Sequence, residues 1–260
     1  MLIFEYNNDF CNNFNSIAYG SILEKKYKTK FYFENDTSKR SRFENEAKNF
    51  GIEVSYISKA KVEKIASKVN LLSSLLFNKH NINNKINIKK QIKNDGIFNI
   101  EKFKLCDIPQ LDKETLDLFK FKNINFIKNF DILEDIQTSE SISLYLGDLT
   151  ANEINEMFDY IQTSLKRLNK YIKKPKLFIF SNSKIDFKKD LILNYQIINI
   201  SDWREEFYFL TKCKHKIIIN NFKTYNKALW SAILGKKDNC YVVLSKQIAD
   251  KSPYFDWILI

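Results

Sequence analysis

Short apolar runs alternate with longer amphipathic stretches along the second half of the chain. The apolar runs predict strands over residues 142–146, 177–180, 195–200, 216–220 and 241–244. The stretches between them predict helices, because apolar residues there recur every three or four positions. The clearest covers residues 154–172, with Thr150 or Asn152 as its cap. Two further helices are expected, one from Ser201 or Asp202 to Lys212 and one over residues 224–233.

This alternation of strands and helices predicts a parallel sheet with helices on both faces. Ligands of such sheets bind at the carboxyl ends of the strands. The polar residues that follow the predicted strands therefore become candidate binding residues. They are Gly147 and Asp148, Ser181 to Ser183, Ser201 and Asp202, and Asn220 and Asn221.

The first half of the chain begins with a similar pattern. Strands are predicted at residues 2–4 and 30–33, with a third at 52–55, and helices over residues 12–27 and 59–77. Residues 78–105 are rich in Asn, Ile and Lys, which favours an irregular connection. We therefore expect two Rossmann-like domains, an N-terminal half over residues 1–135 and a nucleotide-sugar-binding half over residues 136–260.

Composition narrows the classes of function. The net charge of +11 suits an anionic partner such as a phosphorylated substrate, a nucleic acid or an anionic membrane face. Lys predominates over Arg and no block of five like charges occurs, so nucleic acid is not an expected partner. The four cysteines form no Cys-x-x-Cys pair and only two histidines occur, so neither a disulfide frame nor a zinc site is expected. Neither a signal peptide nor an 18-residue apolar span is found, so a cytoplasmic protein is expected, with peripheral contact at the inner membrane face left open.

One segment carries a family resemblance. Residues 213–220, Cys-Lys-His-Lys-Ile-Ile-Ile-Asn, resemble the Cys-Lys-His-x-Ile-Ile-x-Asn segment of bacterial family 11 glycosyltransferases, the α-1,2-fucosyltransferases. Residues 205–212 are similar to the acidic helix before that segment. Further on, Asn220 and Ala228 match the family's pattern, and Thr224 and Tyr225 are conservative replacements.

Two other segments agree with the family in order and spacing. Residues 176–182 resemble its Phe-x-Ile-Phe-Ser-Asp-Asp, and in residues 8–20 the matches are Asn12, Ala18 and Gly20. The resemblance implies a GT-B-like α/β fold of two facing Rossmann-like halves. It also implies an inverting transferase that takes fucose or a related sugar from a nucleotide sugar, GDP-fucose being favoured. The acceptor would be a bacterial surface glycan or its lipid-linked precursor.

The chain departs from the family at one signature. The family's His-x-Arg-Arg-Gly-Asp supplies an arginine to the donor diphosphate, and arginine suits this task because its fork binds phosphate oxygens in pairs. Here residues 143–148 keep Gly147 and Asp148 and lack both arginines. Lys214, Lys223 and Lys227 are the lysines that we expect to replace them.

Glycosyl transfer requires a base for the acceptor hydroxyl and positive charge for the leaving diphosphate. No Asp-x-Asp motif occurs, so no metal or other cofactor is expected. The candidate base is Asp148. The candidate donor-binding residues are Asn12, Asn13, Tyr145, Ser181, Asn182, Lys214, His215, Asn220, Asn221, Lys223 and Thr224. Several of them have a structural alternative: Asp148, Asn220, Thr224, Asn12 and Asn13 as helix caps, Ser181 and Asn182 as turn residues, and His215 as a buried structural histidine.

Two other functions compete with an active transferase. A degenerate paralogue would bind a glycan or a partner enzyme without turnover, and the missing arginines support this alternative. A basic nucleic-acid-binding protein is compatible with the charge, but no basic stripe with interleaved aromatic residues falls on one element. Nucleotide-sugar binding separates the first function from the other two.

Overall fold

The computed structural model describes residues 2–4, 10–28, 30–34, 37–58, 60, 96–97, 111–183, 185, 187, 191–221, 223–236, 239–245 and 258–259. The chain divides into two compact units, Met1–Lys122 and Asn123–Ile260. The boundary expected at residues 135/136 therefore falls inside the second unit. It lies within a helix, Phe130–Thr138, that packs against the sheet and a neighbouring helix of that unit.

The first unit contains a parallel sheet. Its elements, in chain order, are β1 (Leu2–Phe4), α1 (Phe10–Tyr27), β2 (Phe31–Glu34), α2 (Thr37–Lys48), β3 (Tyr56–Ile57), β4 (Gly96–Ile97) and α3 (Lys113–Asp117). The strand order is β3-β2-β1-β4, and all three pairings are parallel. The predicted first helix and first two strands are confirmed. The third strand follows the predicted residues 52–55, and α2 was not predicted.

Helix α1 packs tightly on this unit's sheet. Ala18 and Phe14 are fully buried, and a Cβ atom on Gly20 would lie 2.7 Å from the ring of Phe31 on β2. Glycine at this position lets the helix approach the strand closely. The ring of Phe14 also contacts those of Phe50 and Phe119, with centroids 5.0 and 4.7 Å away. Two of the residues that match the family, Ala18 and Gly20, thus lie where α1 is packed.

Of the remaining predictions for the first half, most fall outside the described residues. The helix expected over residues 59–77 belongs to this group, apart from residue 60, and so does nearly all of the irregular connection at 78–105. Within that connection, Gly96–Ile97 is an exception, because it pairs with β1 as a parallel strand. The segment around this short strand is rich in Asn and Lys, so its sequence pattern did not predict a strand.

The second unit contains a larger parallel sheet. Its elements are α4 (Phe130–Thr138), β5 (Glu140–Gly147), α5 (Ala151–Glu156), α6 (Phe158–Leu168), β6 (Pro175–Ser181), β7 (Tyr195–Ile198), α7 (Trp203–Lys212), β8 (His215–Ile217), α8 (Tyr225–Leu234), β9 (Val242–Leu244) and β10 (Ile258–Leu259). The strand order is β10-β9-β8-β5-β6-β7, with every pairing parallel. The parallel α/β class predicted for this half is confirmed.

The order of the strands creates a switch point between β5 and β8. From β5 the chain moves outward to β6 and β7, and then returns through α7 to β8 on the other side of β5. Alternation along β5 sends Leu144 into the core that α6 covers, and Tyr145 to the opposite face, where Lys227 of α8 lies over its ring. Helices therefore cover both faces. Ligands of open parallel sheets bind at such switch points.

The helix boundaries follow local signals. Thr150 and Glu153 form a capping box at the start of α5, and Asp202 caps α7 by accepting the N–H of Arg204. The single helix predicted over residues 154–172 is interrupted at Met157, which separates α5 from α6. Both pieces still bury their apolar faces in the same core, so the periodicity continues across the interruption.

Candidate functional site

The carboxyl edge of the second sheet is formed by the ends of β5, β6 and β8. Strand β5 ends at Gly147, whose φ of +55° lies in the left-handed region, and a Cβ atom there would lie 2.9 Å from the hydroxyl of Tyr145. The Gly147 carbonyl accepts the N–H of Asn182 at 2.9 Å. This hydrogen bond holds the polar segment that follows β5 next to the polar segment that follows β6.

Asp148 and Asn182 lie side by side at this edge. The Asn182 side-chain amide donates to Asp148 Oδ1 at 3.0 Å, and both residues are exposed. Ser181 is fully buried, with its hydroxyl 3.2 Å from the Gly147 carbonyl oxygen, and it accepts the N–H of Ser183 at 3.2 Å. Asp148 thus presents an oriented carboxylate to solvent, whereas Ser181 stabilises the turn beneath it.

The loop from β8 to α8 supplies the third polar segment. Asn221 accepts the N–H of Lys223 on its side-chain oxygen and the N–H of Tyr225 on its carbonyl, both at 2.9 Å. Thr224 is buried and occupies the cap position of α8 without a side-chain cap bond, while Asn220 is exposed. Asn221 therefore organises the start of the helix, and Asn220 faces solvent beside it.

An ion pair joins two of these loops. Lys223 Nζ lies 2.7 Å from Glu153 Oε1, at the start of α5. The hydrogen bond from Lys223, followed by those from Thr150 at the capping box, lowers the pKa of Glu153 to about 2. The loops that follow β5 and β8 are thus linked by charge across the switch point.

A buried charged cluster lies beneath the same edge. Glu206, in the first turn of α7, is 2% exposed and pairs with Lys227, in the first turn of α8. Lys227 also lies 4.8 Å from the centroid of the Tyr145 ring. The second oxygen of Glu206, Oε1, is buried without a hydrogen-bond partner among the described residues. A buried carboxylate oxygen without a donor is costly, so it identifies a place where a ligand could donate.

Sequence reasoning missed Glu206 as a site residue. The helical spacing could have identified it, because Glu206 precedes the buried Phe209 and Leu210 by three and four positions and so lies on the buried face. Its neighbour Glu205 is buried for another reason. Glu205 accepts the N–H groups of Lys128 and Asn129 at 2.6 and 2.7 Å, just before α4.

Lys214 and His215 lie at the opposite, amino edge of the sheet, which corrects their expected place among the donor-binding residues. Both bind Glu140, the first residue of β5: Lys214 Nζ at 2.8 Å and His215 Nε2 at 3.1 Å. The two hydrogen bonds lower the pKa of Glu140, with that of Lys214 the larger cause. Because β5 and β8 are parallel, the start of β8 cannot reach the crevice at their other ends.

His215 is held as a neutral imidazole. Its Nδ1 accepts the N–H of Tyr241 at 3.0 Å, so the ring proton belongs on Nε2, toward Glu140. The ring is 1% exposed and stacks on that of Tyr241 at 5.4 Å. Burial lowers the pKa of His215, and it outweighs the opposing effect of Glu140. The structural alternative for His215 agrees with these contacts.

Asn12 and Asn13 lie in α1, in the first unit. Asn13 is buried, and the side chain of Asn12 is outside the described residues.

In the described part of the chain, no three His, Cys, Asp or Glu side chains come together in a group that could hold a metal ion. Nor does any helix there have the length and hydropathy required to cross a membrane.

The lysines that were expected to replace the missing arginines each contact a carboxylate. Lys214 binds Glu140, and the other two pairs are Lys223 with Glu153 and Lys227 with Glu206. Only the last two pairs lie at the carboxyl edge. An anionic ligand at this edge must therefore compete with protein carboxylates for positive charge.

Comparison with known proteins returns no match. The chain matches no family model, no curated protein and no solved structure.

Proposed function

We propose that the second unit binds a nucleotide sugar at the carboxyl edge of its sheet and that the protein is an inverting glycosyltransferase. The finer fold proposed is GT-B-like, with one Rossmann-like half in each unit. One observation carries the proposal: exposed polar groups of three loops lie at the switch-point edge of the sheet, and the same edge holds a buried Glu206 carboxylate with an unpartnered oxygen. That combination suits a ligand that offers both N–H or O–H donors and anionic oxygens.

The residues at this edge suit the parts of a transfer reaction. The Asp148 carboxylate, oriented by Asn182, would accept the proton of the acceptor hydroxyl as its oxygen attacks the anomeric carbon. The bond from that carbon to the donor diphosphate breaks, and the diphosphate leaves with the electron pair. Lys223 would stabilise its charge. GDP-fucose is the donor that the sequence resemblance favours, and no metal is required in this scheme.

The acceptor proposed is a bacterial surface glycan or its lipid-linked precursor, which also follows from the resemblance. In the proposed scheme the acceptor hydroxyl gives its proton to Asp148. Asp148 is therefore the group through which acceptor use is best tested.

A second function has its own supporting observation. Lys223 and Lys227 are each paired with a carboxylate, and the two arginines of the family signature are absent. A site whose cations are neutralised binds a diphosphate weakly. This favours a degenerate paralogue that binds a glycan or partner enzyme without turnover.

Thermal-shift binding of GDP, UDP, CMP and their sugars, in EDTA, separates the two functions. A ligand at 100 times its Kd adds about 2.7 kcal/mol of stability, which shifts the melting temperature measurably. Stabilisation by GDP or GDP-fucose is expected. Stabilisation by another nucleotide would keep a transferase and change its donor, and no response to any nucleotide would favour the degenerate binder.

Glu153→Gln tests whether Lys223 serves the phosphates. Removing the carboxylate frees the Lys223 charge, so the affinity for a nucleoside diphosphate should rise, whereas Lys223→Ala should lower it. The matched control is Glu140→Gln, which frees Lys214 at the other edge and should leave affinity unchanged. Equal affinity in all three variants would remove Lys223 from the donor site.

A further inference from the structure

A dense group of lysines lies at the amino edge of the second sheet. In residues 166–174, the basic segment, Lys166, Lys170, Lys173 and Lys174 are all exposed. None of the four forms an ion pair among the described residues. No Asp or Glu occurs anywhere between residues 160 and 185. The positive charge of this segment is therefore not offset by its neighbours in sequence.

Two carboxylates at this edge are already engaged by other residues. Lys176 binds Asp135, and Glu140 binds Lys214 and His215. Such pairing leaves the basic segment as a local excess of positive charge on a protein that is already basic. Its field extends about 8 Å into solvent at physiological salt, which suits a partner that presents many negative charges.

The basic segment is held in place by the core. After α6 ends at Leu168, the chain makes one further turn, in which the N–H of Ile172 donates to the Leu168 carbonyl at 3.0 Å. Ile172 is 5% exposed and belongs to the core cluster of the sheet. The lysines on either side of it therefore project from an ordered turn into solvent.

An exposed tyrosine lies in the middle of the basic segment. Tyr171 is 60% exposed, and its ring lies 5.4 Å from that of Tyr241. Tyrosine with flanking lysines is typical of surfaces that contact the headgroup region of a bilayer, where the ring enters the interface and the lysines bind anionic lipid. Single-stranded nucleic acid, in contrast, is usually bound by several aromatic rings together with arginines.

We propose that the basic segment docks the protein on an anionic membrane surface. The lysines supply attraction to anionic headgroups, and Tyr171 supplies contact at the interface. This surface lies at the sheet edge opposite the candidate nucleotide-sugar site. Membrane docking and ligand binding should therefore be separable by mutation, and the inference does not depend on the proposed function.

Co-sedimentation with phosphatidylcholine vesicles, with and without phosphatidylglycerol, tests the proposal. Binding is expected only when phosphatidylglycerol is present, and it should fall as salt is raised. The double variant Lys170→Gln/Lys173→Gln should weaken binding roughly 25-fold, at about fivefold for each lysine near the surface. Tyr171→Ala should weaken it further. The melting temperature and its shift with GDP should stay at the wild-type values.

The matched control is Lys113→Gln/Lys122→Gln, which removes the same charge from exposed lysines of the first unit. It should retain wild-type vesicle binding. Equal loss in both double variants would show that overall charge suffices, and it would overturn the proposal. Absence of wild-type binding to anionic vesicles would also overturn it. So would a result in which the Lys170/Lys173 variant loses affinity for polyuridylate but not for vesicles, because the partner would then be RNA.

Discussion

The two edges of the second sheet use charge in different ways. At the amino edge, Lys214 and His215 both bind the Glu140 carboxylate, so this polar cluster is closed. At the carboxyl edge, Asp148 presents a carboxylate to solvent, and Glu206 keeps an oxygen without a partner. A closed polar cluster stabilises a fold, whereas an incomplete one can be completed by a ligand.

One short strand connects these two environments. Strand β8 begins at His215, and the chain reaches Asn220 five positions later at the other edge. The segment with the strongest family resemblance is therefore divided in space. Its first residues stabilise the sheet, and its last residue reaches the candidate site. Residues that belong to the same sequence motif therefore have different roles.

Breaking the buried pair at the carboxyl edge should have the largest effect on stability. Lys227→Met leaves Glu206 charged and buried without its partner, and the free energy of unfolding should fall by about 3–5 kcal/mol. Urea denaturation measures this loss. Glu206→Gln/Lys227→Met should recover most of the stability but not nucleotide affinity. Recovery of both would mean that the pair is purely structural.

Removing the histidine at the amino edge should have the next largest effect. His215→Ala leaves the Tyr241 N–H unpaired and removes a buried ring, so the free energy of unfolding should fall by about 2–3 kcal/mol. Nucleotide affinity, measured by calorimetry on the folded variant well below its melting temperature, should be unchanged. A large loss of affinity would contradict the assignment of His215 to stability alone.

The same histidine should make stability depend on pH. Because burial lowers the pKa of folded His215 below its ordinary 6.5, the unfolded chain binds the proton first as the pH falls. The stabilisation is complete above pH 6.5 and is lost below it, at no more than about 1.4 kcal/mol per pH unit for one group. Urea midpoints at pH 7.5 and 5.5 measure the slope, and His215→Gln should show a shallower one.

Changing the exposed carboxylate should have the smallest effect on stability and a large one on turnover. Asp148→Asn keeps a partner for Asn182, so the free energy of unfolding should stay within about 0.5 kcal/mol of the wild type. If Asp148 is the base, transfer should slow by about 10²–10⁴-fold while nucleotide affinity is retained. Coupled detection of released GDP follows the rate. An unchanged rate would assign Asp148 to capping or turn formation instead.

Much of the second unit was predictable because its signals are local. Strand and helix types follow from periodicity, and the caps at Thr150 and Asp202 follow from residue type. The edge of the sheet at which a polar residue lies depends on contacts with distant parts of the chain, so the local pattern does not predict it. His215 binds Glu140, 75 positions earlier in the chain, and its polar neighbours in sequence resemble those of a ligand loop. The burial of Glu206 follows from helical spacing, but its pairing does not, because its partner Lys227 lies on the next helix.

The strand order also determines when the sheet can form during synthesis. Strand β5 emerges first in the second unit, and β6 and β7 can add to one side of it as they leave the ribosome. Its other side stays unpaired until β8 arrives, and Ser143 and His215 are 72 residues apart in the chain. Throughout that interval the free edge of β5 presents unpaired backbone N–H and C=O groups, and such edges favour aggregation of a partly folded chain.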